Sequence, residues 1–141
     1  MTMRPTLGGS TSLKVWEGGC MILADTSVWV AHFRHGTTEL AALLNESRVS
    51  CHPFIIGELA CGNLKHRTQI LTLLEALPTA TVAAHEEVVD VIERYSLMGK
   101  GLGYIDVHLI ASALLSRIPL WTLDKKLDRI ASLMRISHRM E

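Results

Sequence analysis

Aromatic side chains are scarce: Phe, Trp and Tyr make up 5% of the 141 residues. So thin a supply excludes a base-stacking platform as the main binding device. Net charge is missing too, because Lys plus Arg equal Asp plus Glu at 14 each. A protein that held nucleic acid by bulk charge would be strongly basic, so any such contact has to be local. Cys20, Cys51 and Cys61 are odd in number and form no C-x-x-C pair. That excludes a disulfide framework and fits a reducing cytosol. No apolar run approaches the ~18–20 residues that span a bilayer. The first twenty residues lack the apolar centre of a secretory signal. A soluble cytoplasmic protein is expected.

What is present is a core. Apolar residues make up 48% of the chain and charged residues 20%, and the length suits one domain. Met1 to Gly19 shows neither helical nor strand periodicity, and Met21 opens a tight apolar run. Residues 1–20 are therefore expected to be a translated leader or disordered extension, and residues 21–141 the folded domain.

Met21 to Ala24 reads as a strand buried on both faces, ending at Asp25. Thr26 or Ser27 can cap a helix through about His35. A second helix opens at Thr37 or Thr38 with Leu40, Leu43 and Leu44 on one stripe. Arg48 to Cys51 is a brief strand. Pro53 suits the first turn of a helix carrying Ile55, Ile56, Leu59 and Leu64. The next helix carries Ile70, Leu73, Leu74 and Leu77 and stops at Pro78. Thr79 to Val82 is β-branched, hence a strand, and His85 to about Met98 is helical. After Gly99-Lys100-Gly101-Leu102-Gly103 come a helix from Tyr104 to Ser116, a strand from Pro119 to Leu123, and a helix from Lys125 to Met134. Strands alternating with helices and no hairpin turns imply an α/β fold with a parallel sheet covered on both faces.

In such a sheet ligands bind outside the carboxyl ends of the strands. Asp25 and Asp124 each stand directly after a predicted strand. Asp106 occupies the first turn of an apolar helix behind the glycine-rich loop, and Glu58 lies among Ile55, Ile56, Leu59 and Ala60. Each has a plain reading: Asp25, Asp106 and Asp124 as helix N-terminal acids, Glu58 as surface. Together they would repel one another in one crevice, and a hard divalent cation is the usual remedy. Mg²⁺ or Mn²⁺ takes oxygen ligands and keeps waters, leaving room for a substrate phosphate. Metal-dependent phosphate chemistry is as far as spacing goes.

The stretches Met21-Ile-Leu-Ala-Asp25-Thr-Ser-Val-Trp29, Ile56-Gly-Glu58-Leu, Gly101-Leu-Gly-Tyr-Ile-Asp106-Val-His-Leu-Ile-Ala111 and Leu120-Trp-Thr-Leu-Asp124-Lys-Lys-Leu127 resemble the PIN-domain ribonucleases. The likeness is greatest to VapC toxins of bacterial type II toxin–antitoxin modules, and it runs in order from Met21 to about Met134. The resemblance implies a PIN-like three-layer α/β/α fold with a central parallel sheet, and a metal-dependent endoribonuclease. Asp25, Glu58, Asp106 and Asp124 would be the acidic quartet, with Asp25 and Asp106 the principal ligands of Mg²⁺ (or Mn²⁺). Thr26, Ser27 and Thr122 would be supporting polar neighbours. Implied partners are an RNA substrate, a VapB-like antitoxin and a second copy of the chain, with no membrane. Apolar residues between Thr37 and Ser47 and between Leu114 and Ser116 exceed what one small core absorbs and suit a two-fold dimer.

Other patterns carry less. The glycine loop lacks the G-x-x-x-x-G-K-[ST] order of a nucleotide loop, and no G-x-S-x-G elbow exists. His32 and His35, or Cys51, His52, Cys61 and His66, lack matching zinc spacing. His108 reads as a packed or rim histidine. Arg34, Lys65, His66, Arg67 and Lys100 can form a phosphate-facing rim or plain surface. Asp128 can lend charge to the crevice or lie on helix surface. Two other functions stay open: a phosphoacceptor receiver, which needs a paired acidic dipeptide where Asp25 stands alone, and a catalytically silent scaffold.

Overall fold

The computed structural model describes residues 20–138, so the expected extension lies outside the described residues except for Cys20. Three short strands form a parallel sheet: β1 (Ile22–Ala24), β2 (Val49–Ser50) and β3 (Leu120–Trp121), in the order β2-β1-β3. Ile22 pairs with Val49 and Leu23 with Ser50 on one side, and Leu23 with Leu120 and Ala24 with Trp121 on the other. Single parallel bridges widen the sheet at both edges, Cys51 to Thr79 and Leu120 to Ser137. Every residue of β1, β2 and β3 is buried, as the continuous apolar runs require.

Among the described residues seven helices connect and cover the strands: α1 (Thr26–His35), α2 (Thr38–Asn45), α3 (Pro53–Cys61), α4 (Arg67–Ala76), α5 (His85–Arg94), α6 (Tyr104–Ser116) and α7 (Lys125–Leu133). None is long and apolar enough to cross a membrane. The sheet and helices bury Trp29, Leu40, Ile55, Leu74, Ile110, Trp121 and Leu127 in one core. α6 is buried along seven consecutive residues, Val107 to Ala113, which explains its lack of amphipathic pattern.

Several boundaries differ from the sequence reading. Asp25, not Thr26 or Ser27, caps α1 through its own side chain. Leu64 falls beyond α3, which ends at Cys61 before Gly62. Only Thr79 of the stretch to Val82 pairs, since Cys51 offers it a single partner at the sheet edge. α5 stops at Arg94, where Tyr95 and positive-φ Ser96 turn the chain. Of the apolar residues assigned to self-association, Leu40 and Leu43 are spent in the core, while Leu115 is exposed.

The growth of the sheet reverses at β1, with β2 added on one side and β3 on the other. β1 is therefore the topological switch point, and a ligand crevice belongs outside its carboxyl end. Asp25 stands there.

Candidate active site

Asp25 leaves β1 and caps α1. Its Oδ1 accepts the backbone N–H groups of Ser27 at 3.0 Å and Val28 at 3.3 Å, together with the Ser27 hydroxyl at 2.5 Å. Its Oδ2 accepts the Thr122 hydroxyl at 2.6 Å. Only 6% of Asp25 is exposed, and no ion pair reaches it among the described residues. Burial pushes its pKa above the ordinary carboxylate value, while the bonds from Ser27, Thr122 and Val28 pull it down. A desolvated anion ringed by neutral donors is a place where a cation removes a cost.

The loop after β3 completes the surround. Thr122 is buried, donates to Asp25 and accepts the Asp124 N–H at 3.0 Å. The Ser27 hydroxyl accepts the Leu123 N–H at 2.9 Å, lacing the two strand ends together. Asp124 is exposed and caps α7 by accepting the Leu127 N–H at 3.1 Å. Glu58, on a helix of otherwise apolar residues, is exposed on α3 as its surface reading has it; the Thr26 hydroxyl donates to its Oε1 at 2.6 Å.

Asp106 is joined to these residues by no hydrogen bond among the described residues. Its Oδ2 accepts the Gly103 N–H at 3.1 Å, closing the first turn of α6. The loop before it does touch α7. A Cβ on Gly101, whose φ is +84, would lie 3.2 Å from Cδ and 3.3 Å from Nζ of Lys126. The positive φ favours glycine there, and the Lys126 side chain packs against the loop that opens α6. The plain reading of these aspartates as helix N-terminal acids holds, and in Asp106 and Asp124 the helix-start bond takes one oxygen and leaves the other. Glu58 Oε2, Asp106 Oδ1 and Asp124 Oδ2 have no hydrogen bond among the described residues.

No three Asp, Glu, His or Cys side chains among the described residues close on one point as an all-protein metal cage would. The donors are carboxylate and hydroxyl oxygens, with no imidazole or thiol among them. Such a set fits a hard cation that takes one or two carboxylates, keeps waters and accepts substrate phosphate oxygens.

Beside Thr26 and Glu58 runs a groove of about 670 Å³ between α1, α3 and α4. Val30, Phe33, Leu59, Leu64 and Ile70 supply its apolar lining, and Arg34, Lys65 and His66 its cationic groups. Arg67 does not join that rim: its guanidinium donates to the carbonyls of Ala60 at 2.6 Å and Gly62 at 3.2 Å. His32 accepts the Thr37 N–H through Nδ1. Asp128 accepts the Ser137 hydroxyl at 2.7 Å and so fastens the sheet edge rather than the crevice.

The sequence reading missed a cluster of rings at the same edge, made by His52, Phe54, His85, Tyr104 and His108. Its only signal was the i, i+4 spacing of Tyr104 and His108 on one helix face.

A parallel sheet with its switch point at β1, and acids and hydroxyls gathered at that strand's carboxyl end, defines the PIN class of α/β domain. Residues 22–133 match the PIN domain family, and the chain belongs to it. Within the family it groups with the VapC-type ribonucleases. It is 44% identical over 108 residues to Ribonuclease VapC32 of Mycobacterium tuberculosis H37Rv, and equally to the protein of that name from strain CDC 1551. The shared stretch covers 76% of this chain and 87% of those relatives.

Proposed function

We propose that the chain is a divalent-metal-dependent endoribonuclease, the toxin of a type II toxin–antitoxin pair, cutting RNA phosphodiester bonds at the carboxyl edge of the sheet. The observation that carries this reading is the buried Asp25 at the switch point, bonded through Thr122 to the loop of Asp124. Membership of the PIN family and likeness to a ribonuclease support the same chemistry.

Asp25 and Asp106 would hold Mg²⁺, with Mn²⁺ a substitute, and Glu58 and Asp124 would complete the acidic quartet. When bound, the cation lowers the pKa of a coordinated water and offsets the charge that develops on the scissile phosphate. The protein does the positioning. Ser27 and Thr122 fix the Asp25 carboxylate with neutral donors, which bring no positive charge to compete with a cation. Thr26 holds Glu58 by one oxygen, leaving the other to accept a proton from the attacking water. Asp124 caps α7 with one oxygen, and the other would add negative potential to the crevice.

Such an activity in the cytoplasm calls for restraint by a VapB-like antitoxin. The groove beside Thr26 and Glu58 suits an amphipathic segment of it, with an Arg or Lys directed at the acids. A two-fold dimer is expected, and light scattering at micromolar concentration measures it.

The test is incubation of the purified chain with RNA in Mg²⁺, Mn²⁺ or EDTA. Cleavage with either metal and none in EDTA is the expected result. A stable aspartyl phosphate after exposure to acetyl phosphate, without RNA cleavage, would establish the receiver reading instead. Absence of cleavage with any divalent ion would establish the silent scaffold.

A further inference from the structure

The ring cluster gathers residues that the acidic site does not use. His52 follows β2, Phe54 lies in the first turn of α3, His85 opens α5, and Tyr104 opens α6 with His108 one turn along. The His108 ring lies 4.6 Å from Phe54 at 72° and 4.8 Å from Tyr104 at 85°, centroid to centroid, with His52 at 6.1 Å. The Tyr104 hydroxyl is 2.7 Å from Nδ1 of His85. The inner members are closed off, with His52 0% and His108 4% exposed. The outer members face solvent: Tyr104 is 46% exposed, and His85 is exposed as well.

Nδ1 of His52 accepts the Phe54 N–H at 3.0 Å, which puts the proton of the neutral ring on Nε2. That buried Nε2 and the buried Nδ1 of His108 have no hydrogen-bond partner among the described residues. Two such groups in one cluster carry a cost that no side chain around them offsets. The half-exposed ring of Tyr104, backed edge-on by His108, offers a flat face that suits an unpaired base. Position agrees, since Asp106 follows Tyr104 by two residues in the same first turn.

We propose that His52, Phe54, His85, Tyr104 and His108 form a subsite for one unpaired nucleobase of the RNA, next to the scissile phosphate, with Tyr104 as its stacking surface. The proposal rests on the ribonuclease reading. One base is also what a chain with 5% aromatics can serve. Tyr104 is a positioning residue here, acting on substrate placement rather than on bond cleavage.

The test is fluorescence-anisotropy binding of a labelled single-stranded RNA oligonucleotide to the full chain in EDTA. Wild type, Tyr104→Ala and Tyr104→Phe are compared, with circular dichroism and melting confirming that each folds. Loss of one stacked base weakens binding by roughly tenfold in Tyr104→Ala, whereas Tyr104→Phe keeps the stack and stays near wild type. A series of oligonucleotides with a single abasic position separates substrate contact from structural support. One abasic position should weaken wild type and leave Tyr104→Ala unaffected. Equal affinities for wild type and Tyr104→Ala, or no RNA binding by wild type, would overturn the subsite. Cleavage in Mg²⁺ is scored separately: a wild type that binds through Tyr104 but cuts nothing would refute the nuclease reading alone.

Discussion

Asp25 and Thr122 stand 97 positions apart in sequence, and the hydroxyl of one donates to the carboxylate of the other at 2.6 Å. That bond joins the end of β1 to the end of β3 and binds a buried anion to the loop that presents Asp124. Site and fold thus share a key contact, and substitutions at its two ends should affect stability in opposite directions.

Asp25→Asn should reduce RNA cleavage by at least about 100-fold, the scale of losing one preorganised charged group. Its effect on stability runs the other way. The folded pKa of Asp25 lies above its ordinary value, so folding binds its proton more tightly than the unfolded chain does. Stability is therefore lost as pH rises through that raised value, and ionised Asp25 is a burden at pH 7. Without metal, Asp25→Asn should melt at the wild-type temperature or higher; differential scanning calorimetry at pH 7 in EDTA measures it.

Thr122→Val removes the hydroxyl while keeping the shape. It strips a donor from buried Asp25 and an acceptor from the Asp124 N–H, at a cost of about 1–3 kcal/mol. Urea unfolding should show that loss, and cleavage should fall because Asp25 is free to turn.

Glu58→Gln separates the two roles from the opposite side. Glu58 is exposed and its one bond, from Thr26, survives on an amide oxygen. Stability should stay within about 0.5 kcal/mol of wild type. Cleavage should fall, since an amide cannot take a proton from water, and a single-turnover assay reads the drop.

The acids were legible in sequence because each follows an apolar strand, opens a helix or sits in a fixed motif. Asp25 after Ile22–Ala24 and Asp124 after Leu120–Trp121 need only local reading. The Gly101 contact with Lys126 was not legible, because it depends on how two distant loops pack. Nor was the pairing at Thr79, whose β-branched neighbours look like a full strand but find only Cys51 within reach. His52 illustrates the same limit: its depth follows from α3 and α6 packing over it, and no local pattern encodes that.

His52 also gives a pH dependence. Burial, followed by the neighbouring His108, lowers its pKa to about 4. Between the ordinary value of 6.5 and 4 the unfolded chain takes up a proton that the folded chain refuses. Its contribution to stability is therefore present above pH 6.5 and lost as pH falls towards 4. His52→Asn keeps a capping acceptor for the Phe54 N–H and should flatten the decline in melting temperature across that window.

Cleavage of one labelled RNA by wild type, Asp25→Asn and Asp106→Asn, side by side over a Mg²⁺ titration from EDTA upward, tests the central claim most directly. Wild type should be silent in EDTA and turn on with Mg²⁺, and both variants should stay silent at every concentration while remaining folded. Full activity in Asp106→Asn, or wild-type cleavage in EDTA, would contradict the assignment of these carboxylates to a metal-dependent nuclease centre.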